Sequence, residues 1–113
     1  MRRIFFLALL VSAFQAHAHR LVDARWDRTT QTLSLDLIYT GGCEEHNFSL
    51  LFGECQRGAE GLEIAARLVD TGWRDICEKL IRQTVRIDLS QMTCRPAALT
   101  VIATVGRQTV LID

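Results

Sequence analysis

The residues of this sequence that could do chemistry are cysteines and histidines. Beyond the first 18 positions they are Cys43, Cys55, Cys77, Cys94, His19 and His46. The segment Cys43-Glu44-Glu45-His46 places a thiol and an imidazole three residues apart, which is compatible with a metal site. A structural zinc site, however, needs four ligands and usually takes its cysteines in close pairs, whereas these cysteines are spread evenly along the chain. An even number of separated cysteines favours two disulfides in an oxidising compartment.

The amino-terminal residues indicate such a compartment. Two arginines precede an apolar run of 11 residues at positions 4–14, and Ala16 and Ala18 place small residues where a signal peptidase requires them. The run is shorter than the roughly 20 apolar residues that span a bilayer, and no later segment is as apolar. We therefore predict a signal peptide at residues 1–18 and a single mature domain at 19–113, periplasmic or secreted, without a membrane span after processing.

The charge balance argues against two classes of partner. The precursor has 13 basic and 13 acidic residues, and removal of the leader with its two arginines leaves 11 basic and 13 acidic residues, a net charge of −2. Binding to nucleic acid or to an anionic membrane surface requires a basic patch, which this composition does not predict.

The mature sequence is a series of short segments with strand character. Leu33, Leu35, Leu37 and Tyr39 alternate with mostly polar residues, which is the pattern of a half-buried strand. Further strands are predicted at 21–27, 48–52, 62–69, 84–89, 99–105 and 108–112, with turn-forming residues between them. About seven short strands at this spacing predict an all-β fold, a small antiparallel β-sandwich or barrel.

The sequence pattern leaves the secondary structure of two segments open, and it indicates the apolar side of the first strand. Residues 62–69 are compatible with a helix or a strand, and the first half of 77–89 is compatible with a helical turn. Residues 56–61 are predicted to form a loop. In the first strand Val22 and Trp26 share the apolar side, so Trp26 is predicted to be a core residue.

Strand direction ranks the possible disulfide connectivities. If consecutive strands run up and down, Cys43 and Cys55 lie at opposite ends of a strand of about nine residues, about 30 Å apart. The Cα atoms of a disulfide lie within about 7 Å of each other. The next strand returns the chain to the first end and brings Cys77 near Cys43, and the following one takes Cys94 to the end that holds Cys55. We therefore predict the disulfides Cys43–Cys77 and Cys55–Cys94, one at each end of the domain.

Short motifs within residues 37–91 resemble a known type of domain. They are Gly41-Gly42-Cys43-x-x-His46-x-Phe48-x-Leu50, Asp75-x-Cys77-Glu78 and Val85-x-Ile87-Asp88-Leu89-Ser90. This pattern is similar to small exported bacterial β domains of the NigD-like C-terminal type, many of which are lipoproteins. The resemblance implies the Cys43–Cys77 pair, leaves Cys55–Cys94 as an addition, and implies no established activity. Because no cysteine directly follows the apolar run, a lipoprotein is not predicted here.

Copper binding is the alternative function that the histidines suggest. Cleavage after Ala18 makes His19 the mature amino terminus, whose α-amine and imidazole together form a chelate for copper. His46, the only other histidine of the mature chain, supplies a second imidazole in this hypothesis. The end of the leader, Ala16-His17-Ala18-His19, resembles those of periplasmic copper carriers, which are also small β-sandwiches. The competing interpretation makes His19 an ordinary first residue and His46 a hydrogen-bonding loop residue near a disulfide.

Catalytic machinery is not indicated by the sequence. Glu44 and Glu45 are adjacent, and adjacent residues of a strand point to opposite faces, which disfavours an acid–base pair. Ser49 and Ser90 lack the Gly-x-Ser-x-Gly context of an activated nucleophile, and no glycine-rich phosphate loop is found. We therefore predict a non-enzymatic protein with no catalytic residues and, outside the copper alternative, no cofactor.

The predicted function is that of a binding or structural module of the cell envelope, with an unknown envelope or extracellular protein as its partner. Trp73, in the loop of residues 70–75, is expected to be exposed and to cover the Cys43–Cys77 disulfide, where a large aromatic side chain suits an interface. Asp88, in an otherwise apolar strand, is predicted to make structural hydrogen bonds. A small domain locked by two disulfides suits such a module, or an inhibitor that presents a loop.

Overall fold

The computed structural model of the chain describes residues 18–72 and 74–113. The predicted signal peptide, apart from Ala18, lies outside these residues, as does the predicted role of Trp73 as a cover for the disulfide. No helix in the described ranges is both long and apolar enough to cross a membrane.

The described part of the chain forms eight strands. They are β1 (His19–Asp27), β2 (Thr32–Gly41), β3 (Phe48–Phe52), β4 (Gln56–Gly58), β5 (Gly61–Asp70), β6 (Lys79–Asp88), β7 (Ala97–Ile102) and β8 (Arg107–Ile112). The prediction of about seven strands missed only β4, which lies in the segment interpreted as a loop. The ambiguous residues 62–69 and 77–89 contribute strands β5 and β6, and the helical alternatives for them are wrong.

The strands are arranged in two sheets that pack as a sandwich. One sheet has the order β1-β2-β6, and the other has the order β3-β5-β7-β8, with β4 paired to β5. The all-β prediction is confirmed, and of its two architectures the sandwich is the one adopted, since the described strands do not close into a barrel. Among the eight described strands, all ladders are antiparallel except that between β5 and β7, which is parallel.

The core lies between the inner faces of the two sheets. The predicted alternation of β2 is confirmed, because Leu33, Leu35 and Leu37 are at most 1% exposed while their neighbours are half-buried. The opposite sheet covers them with apolar residues of β5, β7 and β8, which are Ile64, Ala66, Leu68, Ala97, Leu99, Val101 and Ile112. Burial of these side chains is the main stabilising contribution to the fold.

A β-bulge in β1 changes which residues face the core. The pairing with β2 shifts between Leu21 and Asp23, which leaves Val22 as the extra residue. Leu21 is therefore buried and Val22 is 48% exposed, so the assignment of Val22 to the apolar side is wrong. Beyond the bulge the prediction is right, because Trp26 packs against the core and its indole nitrogen donates to Asp113 Oδ1 at 2.8 Å.

Both predicted disulfides are confirmed, one at each end of the sandwich. The Cα atoms of Cys43 and Cys77 are 5.7 Å apart, and those of Cys55 and Cys94 are 5.8 Å apart. The bridges join residues separated by 34 and 39 positions in the sequence. By restricting the unfolded chain, a bridge over a loop of this size contributes about 3–4 kcal/mol to stability.

Candidate functional site

A buried imidazole lies between two carboxylates at the end of the sandwich that carries the Cys43–Cys77 disulfide. His46 Nδ1 is 2.7 Å from Asp70 Oδ2, and His46 Nε2 is 2.8 Å from Asp75 Oδ2. The side chains of His46, Asp70 and Asp75 are only 5%, 6% and 0% exposed, respectively. We call this group the Asp70–His46–Asp75 cluster. The sequence interpretation singled out His46 but assigned no role to either carboxylate.

Two glycines make room for the cluster. A Cβ atom on Gly41, at the end of β2, would lie 2.6 Å from Asp75 Oδ2, and one on Gly72 would lie 2.5 Å from His46 Nδ1. Both distances are far below van der Waals contact, so any side chain at either position would displace the cluster. Tyr39 of β2 packs on the imidazole with its ring centroid 4.6 Å away.

Backbone N–H groups surround the carboxylate of Asp75. Gly42 and Glu44 donate to Oδ2 at 3.0 and 3.1 Å, and Cys77 donates to Oδ1 at 3.0 Å. The backbone nitrogen of Cys43 is also within 3.3 Å. Gly42, Cys43 and Glu44 follow β2, and Cys77 precedes β6. The carboxylate of Asp75 therefore joins the loops at the neighbouring ends of two paired strands.

The surroundings of His46 and Asp75 favour the charged form of each side chain. Burial lowers the pKa of His46, but hydrogen bonds to Asp75 and Asp70 outweigh burial and raise that pKa above its ordinary value of 6.5. Burial raises the pKa of Asp75, but hydrogen bonds from His46 and from surrounding N–H groups outweigh burial and hold it well below its ordinary range. An imidazolium donates to both carboxylates at once, whereas a neutral imidazole has only one N–H. The arrangement therefore suits a fixed, charge-assisted tie between two loops.

The second histidine of the copper hypothesis lies near the cluster. His19 is 6% exposed, and its ring is in edge contact with that of Phe48 at 5.8 Å. The same Phe48 ring stacks on His46 at 6.2 Å. Burial lowers the pKa of His19, partly offset by Asp70 and by the backbone of Leu68. Both nitrogens of His46 are engaged by carboxylates, so ligation of copper by His46 requires the loss of one of these bonds. Copper binding through His19 and His46 stays a prediction.

A possible set of metal ligands occurs beside the cluster. Cys43, Asp75 and Cys77 each place a ligand atom within 4.8 Å of the others. The two thiols are joined in the disulfide, however, and the carboxylate is already occupied by N–H donors. The arrangement therefore favours the disulfide over the metal interpretation of the cysteines.

Strand β6, which begins just after Asp75 and Cys77, has an open edge. β6 pairs with β2 over ten consecutive residues, from Gly41↔Lys79 to Thr32↔Asp88, with no register shift. It is the last strand of its sheet, and none of the strands in the described ranges pairs with its other side. The opposite edge of that sheet is partly covered, since β1 contacts β8 and the backbone of Leu21 donates to Val105 at 3.0 Å.

The core is incompletely covered along β6. Its inward-facing Ile81, Val85 and Ile87 are only half-buried, in contrast to the fully buried leucines of β2. Near the carboxyl end of β6 a surface cleft of about 450 Å³ lies between the sheets, lined in part by Phe52, Ile64, Leu89 and Met92. Phe52, at the end of β3, is 40% exposed. The partly exposed apolar side chains of Ile81, Val85, Ile87 and Phe52 therefore lie beside the free backbone edge of β6. We call this surface the apolar margin.

No family model, curated protein or solved structure matches the chain significantly. The resemblance to NigD-like C-terminal domains therefore stays a prediction, as do the non-enzymatic character and the envelope location. The two disulfides are consistent with an exported protein.

The predicted structural role of Asp88 is confirmed. Its carboxylate accepts from the backbone N–H of Ser90 at 2.8 Å and closes the turn after β6. The open edge itself was missed by sequence reasoning, because a strand's position in a sheet depends on pairings between distant segments.

Proposed function

We propose that this protein is an exported, non-enzymatic binding domain that takes up an extended segment of an envelope or extracellular protein as an additional strand on β6. The observation that carries the proposal is the ten-residue outer edge of that strand, with which no strand of residues 18–72 and 74–113 pairs. Addition of a strand to a sheet edge is a common mode of peptide recognition, in which backbone hydrogen bonds supply affinity and side-chain positions supply specificity.

Three of the features that usually protect sheet edges are missing from β6. Protected edges tend to be short, bulged, interrupted by proline or lined with charged residues, because an open row of N–H and C=O groups pairs readily with another chain. Of these features β6 has the charged residues, which are Lys79, Arg82, Arg86 and Asp88. The residues of β6 include neither proline nor glycine, and its register with β2 is continuous. The other free edge on this flank, β3, has only five residues. β6 is therefore the better template for an added strand.

The apolar margin supports the same function. A strand paired to β6 would place alternate side chains over Ile81, Val85 and Ile87 and bury the apolar surface that is half-exposed there. Burial of apolar surface contributes about 25 cal/mol per Å² in addition to the backbone hydrogen bonds.

The Asp70–His46–Asp75 cluster and the adjacent disulfide support the function indirectly. Asp75 and the Cys43–Cys77 bridge fix the chain just before β6 against the end of β2. An edge that is already fixed in its bound conformation loses little conformational entropy when a partner binds.

Site-specific photo-crosslinking in the envelope tests this function. A photoreactive residue is placed at Leu80 on β6 or, as a matched control, at Leu111 on β8; these leucines are 61% and 76% exposed on edge strands of different sheets. We expect a discrete crosslinked product from position 80 that position 111 does not give, because only the first lies beside the proposed edge. Identical products from both positions, or no product from position 80, would contradict the proposal.

A further inference from the structure

We infer that the strand received by β6 alternates apolar and acidic residues, with acidic side chains opposite Arg82 and Arg86. This inference rests on the proposed function and names the chemistry of the partner. It follows from the two faces that β6 presents.

The outward face of β6 carries two arginines, with Asp88 at its end. Arg82 and Arg86 are exposed and lie four residues apart on the same side of the strand. Neither arginine forms an ion pair with any residue of the described ranges, whereas Arg25, on the same face of the sheet, is paired with Asp36. Opposite charges directly across two strands attract and like charges repel, so free arginines on an edge select for carboxylates in the added strand.

The inward face of β6 is apolar at three of its five positions. Ile81, Val85 and Ile87 point between the sheets, Gln83 is engaged with the hydroxyl of buried Tyr39, and Lys79 is exposed at the start of the strand. Side chains of an added strand on this side would enter the apolar margin, where an unpaired polar group is costly. The two faces together require alternation with a period of two.

The same arginines disfavour a second copy of this chain as the occupant. Antiparallel pairing of two β6 strands centred on Thr84 would place Arg82 of each strand opposite Arg86 of the other. This places two pairs of like charges directly across the ladder. The charges therefore act against self-association and in favour of an acidic partner.

Binding of three matched peptides to the mature, oxidised protein tests the inference. The acidic peptide is Val-Glu-Val-Thr-Val-Glu-Val, whose glutamates align with the two arginines when its threonine lies opposite Thr84. The neutral and basic peptides carry glutamine and lysine in place of glutamate. By fluorescence anisotropy at low salt, we expect the acidic peptide to bind about five-fold or more tightly than the neutral one, and the basic peptide to bind most weakly.

Charge reversal shows whether the preference for acidic peptides comes from Arg82 and Arg86 or from the net charge of the protein. The double variant Arg82→Glu, Arg86→Glu is expected to invert the order, so that the basic peptide binds most tightly. The control, Arg67→Glu with Arg107→Glu, changes the net charge equally on exposed positions of the other sheet. Both variants alter exposed side chains, so their melting curves are expected to remain close to that of the unmodified protein. The control is expected to keep the original order.

The outcomes distinguish this inference from the function on which it rests. Equal binding of acidic and neutral peptides, or an order that charge reversal does not change, overturns the acidic preference while leaving an edge that binds strands. No binding of any peptide at about 1 mM overturns the inference, since a strand of this design would then lack measurable affinity. The photo-crosslinking experiment tests the edge separately.

Discussion

Replacement of Asp75 by asparagine is expected to lower the melting temperature of the domain by more than about 10 °C. The substitution keeps the shape of the side chain but removes its charge and turns one oxygen into an N–H donor. That donor would replace either Oδ2, which accepts from His46, Gly42 and Glu44, or Oδ1, which accepts from Cys77. In either position it would face N–H groups that now donate to Asp75. Buried donors left without an acceptor, together with an imidazolium that loses a partner, are among the costliest changes in a core.

The matched control for this experiment is Asp88→Asn. Asp88 also accepts a backbone N–H, from Ser90, but it is exposed to solvent. Thermal unfolding followed by circular dichroism is expected to show a shift of less than about 3 °C for the control. Similar shifts for the two variants would contradict the role given to the cluster.

The stability of the domain is expected to decrease as pH rises above about 6.5 because of His46. The pKa of His46 is raised in the folded state from its ordinary value of 6.5. Its bonds to Asp70 and Asp75 therefore contribute in full below the unfolded-state pKa and are lost as pH rises through the folded-state pKa. Replacement of His46 by glutamine is expected to remove this decrease.

His19 provides an internal control of opposite sign. The pKa of His19 is lowered in the folded state. The contribution of His19 to the stability of the domain is therefore present in full above pH 6.5 and is lost as pH falls through the folded-state pKa. His19→Gln is expected to flatten the acidic side of the profile and to leave the decrease above about pH 6.5 in place. Urea unfolding between about pH 5 and pH 9 measures both slopes. Retention of the alkaline decrease in His46→Gln would refute the charged state assigned to the cluster.

Features set by local pattern could be predicted from the sequence. The alternation of Leu33, Leu35, Leu37 and Tyr39 identifies β2 and its buried face, because side chains of a strand alternate between two faces. Gly106 marks the turn between β7 and β8, and its positive φ of 92° fits the residue type. The pairing of the cysteines followed from strand direction alone.

Features set by contacts between distant segments could not be predicted. The bulge at Val22 accompanies the pairing of Leu21 with Val105, more than eighty residues later. The Asp70–His46–Asp75 cluster joins residues 24 and 29 positions apart. Nothing in the local sequence distinguishes those aspartates from exposed ones, although Gly41 and Gly72 mark the places where a side chain would collide with the cluster.

Amide hydrogen exchange of β6, with and without the acidic peptide, tests the central claim most directly. Amides of an edge strand that do not bond to a neighbour exchange quickly, and pairing with an added strand protects them. We predict that the peptide slows exchange of alternate amides between Lys79 and Asp88 and leaves the amides of β8 unchanged. Protection elsewhere in the domain with none along β6, at a saturating peptide concentration, would contradict the claim that this edge receives the partner.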